Sequence, residues 1–181
     1  MPRPGHSVYA HAKKWDVSSS PTSLDEIGWI SPFDRADNEL VPMKAVMDTS
    51  VLISALRSRR GASYRLLSLV GDPRWQLLMS PALMFEYEAV AKRQVANLWA
   101  EPALVEDVLD YLCTVSEKPE IAYTWRPALS DPNDDMILEL AVAGDAGWIV
   151  THNAADFQGA NRFGLAIVTP KEFLKTLESK P

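Results

Sequence analysis

The sequence predicts an α/β fold with a central parallel sheet covered on both faces by helices. Two observations carry this. From Met43 onward, short apolar runs of strand length alternate with longer segments of helical periodicity. In addition, 47% of the 181 residues are apolar, enough to cover a sheet on both sides. In folds of this kind ligands gather at the carboxyl ends of the strands, so residues at strand exits carry most of the functional reading.

The elements follow in order. Ala45, Val46 and Met47 make a short strand that ends at Asp48, and the VLISAL stretch after it has helical apolar spacing. A second helix spans Ala62 to Val70 and is stopped by Gly71 and Pro73. Trp75 to Met79 reads as the next strand. Ser80 then supplies an N-cap and Pro81 the first helical position, opening a helix to about Leu98 that contains Glu86 and Glu88. Another helix covers 102–115, and a short strand is expected at Ile121 to Tyr123. Asp131 to Asp135 precede a helix that runs to Ala143. Gly144 and Gly147 surround a turn, and Trp148 to Thr151 form a buried strand. A last strand, Ala166 to Thr169, passes through Pro170 into a terminal helix ending near Leu177. The domain division is therefore an extension over 1–42 and one domain over 43–181. The extension lacks periodicity and carries five prolines and the run Ser18, Ser19, Ser20. Its Trp15, Trp29, Ile30 and Phe33 are apolar groups that a solvated tail does not need, and they point to docking on a partner or on the domain.

Composition excludes several classes. One cysteine, Cys113, rules out an internal disulfide framework and a thiolate zinc cluster, and it suits a reducing compartment. The sequence shows no signal-peptide core and no run near the roughly 18 apolar residues of a spanning helix, so the expectation is a cytoplasmic protein without membrane contact. A net charge of −6 argues against holding nucleic acid by a broad basic surface. Clustered acids change that reading, because bound divalent cations reverse the local field and bridge carboxylates to phosphate.

Acids do recur where the topology would gather them. Asp48 follows the first strand, Asp134 and Asp135 open a helix, Asp156 follows WIVTHN, and Glu86 lies on a helix. Carboxylates brought together repel unless cations or protons offset the charge. Hard oxygen donors select magnesium or manganese over zinc. With two such ions, one activates water and the other stabilises the leaving oxygen of a phosphodiester, so no protein nucleophile is required.

The runs MKAVMDTSVLISAL, SPALMFEYEAV, DPNDDMILELA and WIVTHNAADF followed by IVTPKEFL resemble a PIN-domain protein, in that family's order, over about residues 43–178. The similarity is nearest to the VapC-like toxins of bacterial toxin-antitoxin pairs. It implies a three-layer α/β/α sandwich and a metal-dependent endoribonuclease that hydrolyses RNA. It also implies magnesium or manganese as cofactor, a cognate antitoxin as partner, and a homodimer. Carried over by position, Asp48, Glu86, Asp134 and Asp156 match the metal-binding and catalytic acids. Asn153 stands where some relatives carry another aspartate, and Ser50 stands where a hydroxyl or amide supports the first aspartate. Antitoxins of this family lay an aromatic and basic segment across the toxin, a role Trp15, Trp29, Phe33 and Arg35 of the extension could take within the chain or between subunits.

Each of these residues has a plainer reading. Asp48 suits a helix N-cap, and Asp134 and Asp135 suit the first turn of a helix, where acids complement the dipole. Asp135 is otherwise a supporting or metal-facing helper. Glu86 competes with Glu88, which points to another face. Asp156 and Asn153 suit a loop turn, as Asp131 before Pro132 does. His152 is an RNA contact or a structural histidine. Arg57, Arg59 and Arg60 are candidate RNA phosphate contacts or a solvated charge run. Trp75, Trp99, Trp125 and Trp148 fit packing. Two other functions compete with the nuclease. An aspartate-nucleophile phosphatase would use Asp48, although the second acid two residues later is missing. A degenerate PIN domain would bind nucleic acid or protein without catalysis.

Overall fold

The computed structural model describes residues 41–124, 126–129 and 131–179. The extension assigned to 1–42 lies outside the described residues apart from Val41 and Pro42, as does Trp125.

Among the described residues four strands form one parallel sheet: β1 (Met43–Met47), β2 (Trp75–Leu77), β3 (Trp148–Val150) and β4 (Ala166–Val168), in the order β2-β1-β3-β4. Ala45 is in register with Leu77 on one side and Trp148 on the other, which puts β1 at the centre. A central parallel strand is covered on both faces, and Ala45, Val46 and Met47 are wholly buried. Parallel pairing requires long crossovers, and helices supply them. Helices α1 (Thr49–Arg57) and α2 (Ala62–Ser68) join β1 to β2, while α3 (Pro81–Gln94), α4 (Pro102–Val115) and α5 (Asp135–Ala143) lie between β2 and β3. Helix α6 (Pro170–Ser179) follows β4. The result is the three-layer α/β/α arrangement expected from the alternation.

Local chemistry explains the helix ends. Ser80 Oγ accepts the Leu83 backbone N–H at 3.2 Å, and Pro81 takes the first helical position of α3. Gly71, with φ of 95°, closes the turn after α2 in a conformation that suits glycine. A Cβ on Gly144 would collide with the Leu78 side chain and crowd Pro119, so glycine is what lets the exit of α5 pass this close to the sheet edge. Valine and leucine faces of α1 fill the core: Val51, Leu52 and Leu56 are almost fully buried, each worth about 1.5–3 kcal/mol relative to exposure. Phe173 of α6 meets Trp75 and Trp148 edge to face, at 5.5 and 6.0 Å between ring centroids.

One expected element is absent among the described residues. Ile121 to Tyr123 do not form a strand. The sheet edge beyond β2 is met only by a single bridge between Leu78 and Glu117, and the chain after it leaves the sheet with Ala122, Tyr123 and Thr124 exposed. Three apolar-looking positions without a partner edge cannot offset the cost of an unpaired strand. The helix expected to reach Leu98 ends as α-helix at Gln94 and continues as one 3-10 turn over Val95–Asn97.

Candidate active site

The site is built at the exits of β1 and β3, where the central strands of the sheet deliver their following residues to one end. Asp48 leaves β1 and is 7% exposed. It occupies the N-cap position of α1, yet its side chain makes no capping bond. Its Oδ2 instead accepts two hydroxyl donors, Ser50 Oγ at 2.5 Å and Thr151 Oγ1 at 2.6 Å. Two donors on one oxygen fix the rotamer of the side chain and leave Oδ1 outside this pair.

Glu86, on α3, is held by the residue that follows Asp48 in the chain: Thr49 Oγ1 donates to Glu86 Oε1 at 2.9 Å. Among the described residues Glu86 Oε2 is buried without a hydrogen-bond partner. Burial chiefly raises the Glu86 pKa; the Thr49 bond opposes this, and the charge of Asp48 adds to it, followed by that of Asp131. Glu88 takes no part. It pairs with Lys92 one turn along the helix. Tyr87, fully buried, donates its hydroxyl to the Met47 carbonyl, which ties α3 to the end of β1 just before Asp48.

Asp134 caps the start of α5 by position but makes no capping bond. Its pKa is pushed up to about 7, first by burial and then by the charges of Asp48, Asp131, Asp156 and Glu86. Acids from the β1 exit, α3, the α5 entrance and the loop after β3 therefore share one electrostatic neighbourhood. Asp156 sits in a turn in which its N–H donates to the Asn153 carbonyl at 3.1 Å. Asn153 is exposed, and its backbone N–H donates to Thr151 Oγ1 at 2.9 Å.

Asp135 does something different. It is wholly buried, and its Oδ1 accepts the backbone N–H groups of Ala128 and Leu129 at 3.1 and 2.8 Å. A metal-facing role does not fit those oxygens, which are occupied in fixing the loop before α5; the supporting role does. Glu139, one turn on and 2% exposed, pairs with Arg126 of the same loop at 3.0 Å. Together the two acids clamp the segment that leads to Asp131 and Asp134.

The three arginines separate. Arg57, at the end of α1, donates to the Gln94 amide oxygen beside a cleft next to the acids. Arg59 lies over the Trp99 ring, 4.1 Å from its centroid, a packing arrangement rather than an open phosphate contact. Arg60 is exposed. His152, also exposed, shares a 2.8 Å hydrogen bond between its Nε2 and Ser63 Oγ.

Among the described residues, no three His, Cys, Asp or Glu side chains stand close enough to form a ready-made metal cage. The donor set nevertheless fits a hard divalent cation: several carboxylates in one neighbourhood, one of them drawn toward protonation, and one buried carboxylate oxygen without a partner. Magnesium commonly binds through one or two carboxylates and keeps several waters, which suits acids that share a neighbourhood without converging on a point.

Sequence reasoning did not single out Thr49 and Thr151, whose hydroxyls hold Glu86 and Asp48, or Tyr87, whose hydroxyl ties α3 to the end of β1. Thr49 and Thr151 flank strand exits, and that position was the available signal. Tyr87 carried none, because a tyrosine in a helix reads as core.

The family model described as PIN domain matches residues 44–155, in accord with this architecture. A solved structure of VapBC-1 from nontypeable Haemophilus influenzae is similar over 71% of this chain and 99% of that chain, with 18% identity and a TM-score of 0.47. No curated protein matches the sequence.

Proposed function

The chain belongs to the PIN-domain family, and from that premise we propose that it is a divalent-metal-dependent endoribonuclease that hydrolyses RNA phosphodiester bonds. The observation that carries the reading is the set of acids held at one end of the sheet: Asp48 by Ser50 and Thr151, Glu86 by the adjacent Thr49, and Asp134, whose carboxyl is pushed up by burial and by the charges of Asp48, Asp131, Asp156 and Glu86. Acids so placed destabilise the fold, and a function that needs them accounts for their presence.

In this reading Asp48, Glu86, Asp134 and Asp156 hold magnesium or manganese, directly or through water. The bound ion supplies an activated water and charge stabilisation at the phosphate. The residues of the chain prepare the ground for it. Ser50 and Thr151 fix one oxygen of Asp48, Thr49 fixes one oxygen of Glu86, and Asp135 sets the loop that presents Asp134. Asn153 and Asp135 are supporting residues, and Arg57 and Arg60 are the candidate RNA contacts. The catalytic domain begins at Met43. The protein acts in the cytoplasm as the toxin of a toxin-antitoxin pair, as a homodimer restrained by a cognate antitoxin.

Cleavage of a labelled single-stranded RNA with Mn2+ tests this directly. Asp48→Asn and Asp134→Asn should abolish metal-dependent cleavage with the fold intact, and unchanged cleavage in either sinks the site. A degenerate, non-catalytic PIN domain is the competing reading, and the lack of a ready-made cage among the described residues is the observation in its favour. Calorimetric titration with Mn2+ separates the two, since a folded protein that gives no binding heat would be a binding module.

A further inference from the structure

A cleft of about 400 Å3 opens between α1, α3 and the exit of β3. Its size lies in the usual range of small-ligand sites, about 300–1,000 Å3. The wall toward the acids is made by Thr49 and Ser50, the two side chains that hold Glu86 and Asp48. Ile53 and Val90 give it an apolar surface, and Arg57, Gln94 and His152 give it polar groups. No carboxylate lines it among the described residues. Next to a cluster of acids, this is a place with only neutral and cationic polar groups.

The chemistry of the rim is one-sided. Arg57 Nη2 donates to Gln94 Oε1, which occupies one lone pair of the single acceptor atom on the two side chains. What the pair has left to offer is mainly N–H groups from the guanidinium and the amide. A donor-rich pair above an apolar surface matches a base whose exposed edge carries two adjacent acceptors. On the major-groove edge guanine alone presents two adjacent acceptors, O6 and N7, where adenine and cytosine place an amino donor; cytosine pairs two acceptors, N3 and O2, only on its Watson–Crick edge, so the cytosine oligonucleotide is the comparison that decides. Unstacked bases of single-stranded RNA expose such edges, which paired bases in an A-form helix do not.

We infer that this cleft is a base-reading subsite, in which Arg57 and Gln94 receive an unpaired guanine of the RNA adjacent to the scissile phosphate. The inference rests on the ribonuclease reading for its place in the reaction but not for the binding itself. Ile53 and Val90 contact the base face. His152, hydrogen-bonded to Ser63, also lines the cleft. Because Thr49 and Ser50 belong to both places, a nucleotide seated here brings its linking phosphate to Asp48 and Glu86.

The test uses the full chain and four labelled pentaribonucleotides, UUNUU with N as G, A, C or U. Binding is followed by fluorescence anisotropy in EDTA, and cleavage is followed separately with Mn2+. The guanine oligonucleotide should bind at least about fivefold more tightly than the others, the low end of what one bidentate base contact supplies. Arg57→Ala and Gln94→Ala should each bring the four affinities to within about twofold while keeping the Mn2+-induced shift in melting temperature. Equal binding of the four by the natural protein overturns the subsite, as does a guanine preference that survives both substitutions. Guanine-selective binding without any cleavage would overturn the nuclease reading and leave the subsite standing; cleavage without base preference would do the reverse.

Discussion

Replacing Asp134 by asparagine should make the metal-free protein more stable, and the pH dependence of the gain is fixed in advance. The Asp134 carboxyl has an ordinary value of 3.8 when the chain is unfolded and one of about 7 when folded, through burial first and the charges of Asp48, Asp131, Asp156 and Glu86 next. A raised folded value means that the native state holds the proton more tightly. The stability this contributes is fully present below about pH 4 and is lost as pH climbs to about 7, after which the loss is constant. The rise from 3.8 to about 7 corresponds to roughly 4 kcal/mol as a ceiling. Asp134 is only half-buried, so solvent screening brings the expected figure down to about 1–2 kcal/mol. For a domain of this size that is on the order of 3–10 °C in melting temperature. Thermal unfolding in EDTA at pH 5, 6, 7 and 8 measures it. The advantage of Asp134→Asn should be small at pH 5, grow to pH 7 and then level off. Saturating Mn2+ should stabilise the natural protein, by about 2.7 kcal/mol at a hundredfold excess over Kd, and should leave the variant nearly unmoved. A variant no more stable at pH 8, or an advantage independent of pH, would refute the claim that these acids crowd one another.

Three further outcomes follow from named contacts and a fourth from the sequence of the extension. Thr151→Val removes one of the two hydroxyls on Asp48 Oδ2 and should weaken Mn2+ binding by roughly 10–100-fold in a calorimetric titration, with Thr151→Ser restoring it. Asp135→Ala leaves the N–H groups of Ala128 and Leu129 without their acceptor, and should cost about 2–4 kcal/mol in urea unfolding, where a loss under about 1 kcal/mol would show the loop is held elsewhere. Ser80→Ala deletes the α3 cap and should cost about 1 kcal/mol without changing Mn2+ affinity. If the aromatic extension inhibits the site, a chain starting at Met43 should cleave RNA faster than the full chain, and equal rates would remove that role from 1–42.

The sequence revealed the strands that bury both faces and the helices that announce their own starts. Asp48 was legible because an apolar triplet of strand length ends on it, and the start of α3 because Ser80 and Pro81 declare a cap. The false strand at Ile121 to Tyr123 shows the limit: three residues of suitable type become a strand only if an edge receives them, and the chain turns away after the single Leu78–Glu117 bridge. Glu86 and Glu88 part company in space: Glu86 is held by the Thr49 hydroxyl, and Glu88 pairs with Lys92. Asp134 and Asp135 show what composition cannot decide. They are neighbours of identical type at a helix entrance, yet one is crowded by other acids and the other is buried against two backbone N–H groups. Only the path of the 126–129 loop separates them, and that path is a tertiary fact.

A chain of net charge −6 is an awkward partner for a polyanion unless its charges are sorted in space. Here they are sorted within a few residues of one another. Asp48 leaves β1, and Glu86, Asp134 and Asp156 come from α3, the α5 entrance and the loop after β3, where divalent ions would convert repulsion toward phosphate into attraction. The cleft across Thr49 and Ser50 presents N–H donors and an apolar surface, and no carboxylate among its described lining. An RNA strand therefore would not need a broad basic face to be held. It would need a cation under one phosphate and a matching base beside it, so the bulk charge that argued against nucleic acid describes the rest of the surface rather than the place where the strand would lie.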